Sequence, residues 1–267
     1  MPVVRLDLSY DGSNFHGFAR QPNVRTVQGW LEEGLAQVLG ESFETIGAGR
    51  TDRGVHARHQ VVSFDMGALP DLGRLRRSLD GVLGPEVSVW SVTEVPDGFS
   101  ARFSPVWRSY RYFIDPRPAT DPLVRGWTWH VGRPLDGEAM NRAAGGFVGE
   151  HDFASFCRQR EAATSVREVL EAGWAEEAER FVFRVRARAF CHQMVRSLVG
   201  FCVDVGLGRA AAASVGEVIA ARDRHAVGTV APPHGLVLWE VGFGQSVEGL
   251  GLSSSDLIGR FGPVPVP

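Results

Sequence analysis

The 267-residue chain has no lysine; all 28 of its basic residues are arginine. That absence removes whole reaction classes. A phosphate-cradling P-loop needs its lysine, and Schiff-base chemistry with pyridoxal or a class I aldolase substrate needs a lysine amine. Cysteine is scarce. Cys157, Cys191 and Cys202 are odd in number, have no C-x-x-C spacing and sit among apolar neighbours, which indicates core thiols rather than a disulfide framework or a structural zinc. Long apolar runs are missing too: none approaches the roughly 20 residues that cross a bilayer, and an alternating strand pattern starts where a signal peptide would stand. The expected compartment is the cytoplasm, with no membrane partner. A basic excess is also missing. The formal net charge is -3, so nucleic-acid binding must rest on clustered arginines rather than on a globally basic surface.

What is present suffices for a sizeable core: 44% of the residues are hydrophobic, over a length that allows one large domain or two small ones. Val4, Leu6, Leu8 and Tyr10 alternate with polar residues as a strand. Thr26 caps a helix with Val27, Trp30, Leu31, Leu35 and Val38 on one face, ending at Gly40. Strands near 43 to 48 and 59 to 65 flank a glycine-rich loop. Asp71 opens a second helix through Leu72, Leu75, Leu79 and Val82, and a strand near 86 to 95 follows. A second half runs from a strand at Arg108 to Ile114 through a helix capped by Asp136, a hairpin near 167 to 190, helices near 191 to 205 and 214 to 222, and a last strand near 236 to 243. This order specifies an α+β fold with a mixed, mainly antiparallel sheet and helices on one side. From about residue 244 the pattern dissolves into Gly, Ser and Pro, which reads as a mobile tail over 244–267.

Arginines cluster in three places: Arg50, Arg53 and Arg58; Arg74, Arg76 and Arg77; and Arg184, Arg186 and Arg188. Each is either a solvated face or part of an anionic-ligand surface. In Val182 to Phe190 the period of two puts three guanidiniums on one sheet face, where they can follow a phosphate backbone.

The most informative stretch is Gly47-Ala48-Gly49-Arg50-Thr51-Asp52-Arg53-Gly54-Val55-His56-Ala57. Three glycines in eight residues allow positive backbone dihedrals and close approach of another chain, so Asp52 can face a ligand, with Arg50 and Arg53 favouring its ionised form. It can equally build an Asx-turn. Gly47-x-Gly49 fails as a dinucleotide fingerprint, because Asp52 stands where a third glycine belongs and would repel a pyrophosphate; no nucleotide cofactor is expected. His56 and His59 lack a third ligand at metal spacing, so no metal is expected. Arg196 lies on a helix that is apolar on most sides. It either snorkels to water or pairs with a buried carboxylate, for which Asp52 is the candidate.

The run Gly49-Arg50-Thr51-Asp52-Arg53-Gly54-Val55-His56-Ala57 resembles the signature of the tRNA pseudouridine synthase A family. So do Tyr10-Asp11-Gly12 with Val24-Arg25-Thr26-Val27-Gln28, Phe99-Ser100-Ala101-Arg102-Phe103-Ser104, Tyr110-Arg111-Tyr112, His151-Asp152-Phe153-Ala154-Ser155-Phe156 and Ala189-Phe190-Cys191-His192-Gln193-Met194-Val195-Arg196. In order and spacing they cover residues 3 to about 243. The resemblance implies a pseudouridine synthase fold of two similar α/β halves, 1–104 and 105–243, sharing an extended sheet with a cleft between them. It implies Asp52 as catalytic nucleophile, Arg196 as its partner, and Tyr110 stacking on the target base as a candidate acid/base group. By the same resemblance Arg50 would fill the space left by the flipped base, and Arg53 and Arg58, from the arginine cluster around the loop, are further substrate-binding candidates. It also implies tRNA as partner, modified in the anticodon stem-loop, a homodimer, and no cofactor. Two departures touch the pocket: Arg53 stands where the family commonly has a small residue, and Leu79-Asp80-Gly81-Val82-Leu83-Gly84 differs from its usual asparagine-containing block.

The implied reaction isomerises uridine: the N1–C1′ bond breaks, the uracil turns over, and C5 bonds to the same C1′. The carboxylate can attack C1′ or C6, or assist loss of a ribose proton, and all three remain open. Two rivals come from other classes. A silent RNA-binding module would leave Arg196 unexplained, and a glycoside or nucleoside hydrolase lacks a second acid in a comparable loop.

Overall fold

A computed structural model describes residues 1–158 and 164–244 of the chain. The expected tail lies, beyond Gly244, outside the described residues. The chain divides into two compact units, Met1–Val106 together with the chain from Leu238, and Trp107–Val237. The described residues carry ten strands and five α-helices, and nearly all the strand pairs are antiparallel.

In the first unit, β1 (Val3–Tyr10) is followed by α1 (Val27–Leu39), β2 (Ile46–Gly47), β3 (His56–Asp65), α2 (Leu72–Leu83) and β4 (Val87–Val95). β1 is flanked on both edges, pairing Leu6 with Val62 of β3 and with Val92 of β4. The helices start where their caps dictate: Thr26 Oγ1 accepts the Gly29 amide and Asp71 Oδ1 accepts the Arg74 amide. α1 ends at Gly40, whose φ of 81° suits only a residue without a Cβ penalty. Val27, Leu31 and Leu35 of α1 and Leu75, Leu79 and Leu83 of α2 are buried.

On the other face of β1 the charged pair Arg5 and Asp7 is fully buried. Asp7 accepts from Arg5 at 2.6 Å, from His59 Nε2 at 2.8 Å and from Ser91 at 2.8 Å. Burial pushes the Asp7 carboxyl up, but the His59 hydrogen bond and the Arg5 charge outweigh it and bring it to about 2. Arg5 also lies 4.6 Å over the Phe243 ring, and His59 stacks on Trp90. His59 is thus spent inside this network. Among the described residues no group of three or more metal-type ligands is gathered anywhere.

The strand expected over 43–48 shortens to β2. Thr45 is drawn off to Glu32 of α1, to which it gives its amide at 3.1 Å and its hydroxyl at 3.0 Å. Side-chain hydrogen bonds compete there with a ladder.

The second unit holds most of β5 (Pro105–Asp115), then β6 (Trp129–His130), α3 (Gly137–Gly145), β7 (Gly149–Asp152), β8 (Val166–Glu177), β9 (Arg180–Ala187), α4 (Met194–Gly206) and α5 (Val215–Ala221). β9 lies between β5 and β8, with Val185 opposite both Tyr110 and Ala172. Phe147, Phe153, Phe156 and Phe201 meet edge to face in its core. α4 begins three residues later than the expected start near 191, because Gln193 takes a left-handed φ of 64° and cannot continue a helix backwards.

The last strand, β10 (Leu236–Phe243), was expected to close the second half. The structure instead assigns it from Leu238 onward to the first unit, where it pairs with β3. Chain order cannot show such a return. The Val241 amide reaches towards His59 Nδ1 at 3.5 Å, consistent with His59 giving its Nε2–H to Asp7.

Cys157 and Cys191 also depart from expectation. They are joined in a disulfide, with Cα atoms 5.7 Å apart, within the range such a bond requires. Their 34-residue separation gave no spacing signal. Cys202 is a buried free thiol, which burial pushes up to about 12. No described helix is long and apolar enough to cross a membrane.

Candidate active site

The loop between β2 and β3 is tied down at nearly every residue around Asp52. On the entry side the Ala48 amide donates to Val61 O at 2.8 Å. Gln60 then clamps Gly49 from both sides, its amide oxygen accepting the Gly49 N–H at 3.1 Å and its Nε2 donating to Gly49 O at 2.8 Å. Thr51 O accepts the Phe18 amide at 3.0 Å, and its hydroxyl meets Tyr10 OH at 2.8 Å. On the exit side the Val55 amide returns to Asp52 O at 3.1 Å, closing a tight turn through Gly54, whose φ is 77°. This turn leaves Asp52 half-buried while Arg50 and Arg53 on either side are exposed.

The segment that braces this loop is Tyr10-Asp11-Gly12 and its continuation to Phe18. A Cβ on Gly12 would stand 2.0 Å from Val55 O, and one on Gly17, whose φ is +96°, would stand 2.8 Å from Thr51 O. Two backbones therefore press together where only glycine leaves room. Asp11 adds a side-chain tie. Its Oδ1 is 3.0 Å from His56 Nδ1, a nitrogen that the Gly12 amide approaches to 3.1 Å. The His56 hydrogen bond holds the Asp11 carboxyl well below the usual carboxylate range, with Ser13 contributing and burial opposing.

Arg58, expected beside Arg50 and Arg53 as a substrate contact, is further inside. Its guanidinium lies 4.4 Å over the Trp239 ring, and burial lowers its pKa against the opposing charge of Glu240. Of these three arginines it is the one that packs rather than projects.

Tyr110 and Arg196 belong to the second unit. Tyr110 sits in the middle of β5, buried, with its ring edge-to-face on Phe190 at 5.0 Å. Arg196, on the first turns of α4, is partly buried and donates Nε to Ala231 O at 2.7 Å, while its own carbonyl accepts the Ala231 amide at 3.0 Å. The same segment grips its neighbours: Tyr112 OH donates to Pro232 O at 2.8 Å, and a Cβ on Gly200 would stand 2.0 Å from Thr229 O. Burial raises the Tyr112 pKa well above its ordinary value despite the nearby Arg196 charge. The chain from Thr229 to Gly235 is thus a brace for the arginine helix, and the sequence reading missed it because nothing periodic marks it.

The arginine triplet is less available than its alternation suggests. Arg184 pairs with Glu177, Arg186 with Glu171 at 3.1 Å and Arg188 with Glu168, all three acids lying on β8. Arg186 also stacks 4.5 Å over Trp107. The face is a cross-strand ladder of opposite charges. Tyr10, Gln60 and Thr51 are supporting residues that residue-by-residue reading did not single out, and His56, weighed there only as a metal ligand, is a fourth; the Tyr-Asp-Gly run was the available signal for the first of them.

A family profile described as tRNA pseudouridine synthase matches residues 8–104 and 143–244. A protein named tRNA pseudouridine synthase A from Streptomyces griseus is 47% identical over 252 residues, covering 90% of this chain and 87% of its own length. Its namesake from Leifsonia xyli is 45% identical, covering 91% and 92%. Another from Halalkalibacterium halodurans is 39% identical, covering 89% and 91%.

Proposed function

The chain belongs to the tRNA pseudouridine synthase family, and we propose that it converts uridine to pseudouridine in the anticodon arm of tRNA, with Asp52 as nucleophile. The observation that carries the residue assignment is the half-buried Asp52 on a loop braced at Ala48, Gly49, Thr51 and Gly54. A carboxylate that attacks a sugar or base carbon must be held still relative to its substrate, and this loop supplies that rigidity.

The remaining roles follow from the demands of the reaction. Extruding a uridine from a stacked stem costs a few kcal/mol, and stacking on an aromatic ring returns about 1–3 kcal/mol per base. Tyr110, held in mid-strand, is the aromatic surface we assign to that task and to proton transfer near C5. Arg196 supplies the guanidinium charge, and its Nε bond to Ala231 O fixes how that group is presented. Arg50 and Arg53, both exposed, meet the RNA backbone or the space the base vacates. Arg58 contributes mainly by its packing on Trp239. The isomerisation exchanges the N1–C1′ bond for a C5–C1′ bond, with C5 giving up its hydrogen as a proton and N1 taking a proton up, so atoms and electrons balance without an oxidant. We assign the protein to the cytoplasm as a homodimer.

Tritium release from tRNA carrying 5-tritiated uridine tests this reading. Wild-type protein is expected to release tritium, and Asp52→Ala to release none while binding tRNA with a similar Kd. Absence of release from any tRNA, with binding intact, would return Asp52 to a turn-building role in an RNA-binding module.

A further inference from the structure

The YDG segment holds a tyrosine whose hydroxyl the proposed reaction does not use. Tyr10 is the last residue of β1 and is 4% exposed; its position is set by pairing with Ala57 of β3 and Val87 of β4. Its ring packs 6.3 Å from Phe18, a contact phenylalanine would make equally well. The hydroxyl is the part that needs a reason, since a buried phenol must find a polar partner. It meets Thr51 Oγ1 at 2.8 Å, and Thr51, 8% exposed, immediately precedes Asp52.

We propose that Tyr10 is a positioning residue for Asp52, acting through the hydroxyl of Thr51; this rests on Asp52 being the nucleophile. Thr51 is gripped at two points. Its carbonyl is held by the Phe18 amide at 3.0 Å, with Gly17 pressed against it. A main-chain bond alone leaves the peptide free to rock about the Phe18–Thr51 axis. The Tyr10 bond to the side chain supplies a second, off-axis restraint anchored in the most buried strand of the unit. With residue 51 fixed in both position and rotation, and the Val55 amide on Asp52 O closing the far side, the Asp52 Cα–Cβ direction is determined.

Single-turnover kcat, tRNA Kd and Tm of five variants decide the matter, with every rate measured well below each Tm so that only folded protein is compared. Tyr10→Phe is expected to lower kcat about 10-fold with Kd for tRNA unchanged, because small misalignments of a reacting group act on the chemical step. Thr51→Val should match it, and Tyr10→Phe/Thr51→Val should be no worse than either single variant, as for two ends of one bond. Thr51→Ser keeps the hydroxyl and should bring kcat back towards wild type. Additive losses in the double variant, or wild-type kcat in Tyr10→Phe while Asp52→Ala is inactive, would overturn the inference alone. Turnover by Asp52→Ala would instead overturn the nucleophile assignment, and the inference with it.

Discussion

Gly12→Ala tests whether the turn after β1 sets the geometry of the Asp52 loop. The added Cβ would stand 2.0 Å from Val55 O and 2.6 Å from the Val55 carbonyl carbon. Both are backbone atoms, so no rotamer change relieves the overlap. Ordinary contact begins at 3.4 Å, and the two backbones must therefore part by about 1.4 Å. Val55 is hydrogen-bonded through its amide to Asp52 O, so the displacement passes directly to Asp52, the proposed nucleophile. A misplacement of about 1 Å costs about 100-fold in rate, or about 3 kcal/mol in activation free energy. Overpacking of this kind also costs about 1–3 kcal/mol of stability. The assay is tritium release at saturating tRNA, well below the variant's Tm, beside Gly81→Ala, a helical glycine with nothing within 4 Å of its would-be Cβ. Gly81→Ala should keep wild-type kcat. If Gly12→Ala also turns over within about threefold of wild type, the loop tolerates displacement and the bracing argument fails.

Acid stability should report the Asp7 network. Its folded pKa, about 2 against an ordinary 3.8, is depressed, so its contribution is present above the unfolded value and is lost as pH falls from about 4 towards 2. The contribution amounts to about 2 kcal/mol. Asp7→Asn should lower Tm at neutral pH and flatten the fall in Tm over that window, as followed by circular dichroism; an unchanged acid profile would contradict the assignment. The β8–β9 ladder gives a different expectation. Because Arg184 is already paired with Glu177, and an exposed pair contributes about 0.2–1 kcal/mol, Arg184→Ala should leave the Kd for tRNA within about twofold and its salt dependence unchanged. A drop of nearly one unit in the slope of log K against log salt would show that Arg184 meets a phosphate after all.

Much of this protein is legible in one dimension. The helix caps at Thr26, Asp71 and Asp136, the apolar faces behind them and the alternating strands are short-range properties. They are set by hydrogen bonds and side-chain periods within a few residues, and the structure places elements at each of them. The glycine-framed Asp52 loop was visible for the same reason, since Gly, Asp and Arg in that spacing carry their own backbone and charge preferences.

Only the tertiary structure decided which distant residues meet. It set Tyr10 against Thr51 and Gln60 around Gly49, sent β10 back to β3, and joined Cys157 to Cys191 across 34 residues. It also turned the arginine stripe of β9 into a charge ladder by placing Glu168, Glu171 and Glu177 beside it. Alternation along a strand fixes the face on which a side chain lies but says nothing of the strand that will lie next to it. Pairing partners are chosen by the packing of the whole chain, and that choice distinguishes a surface open to RNA from one already neutralised.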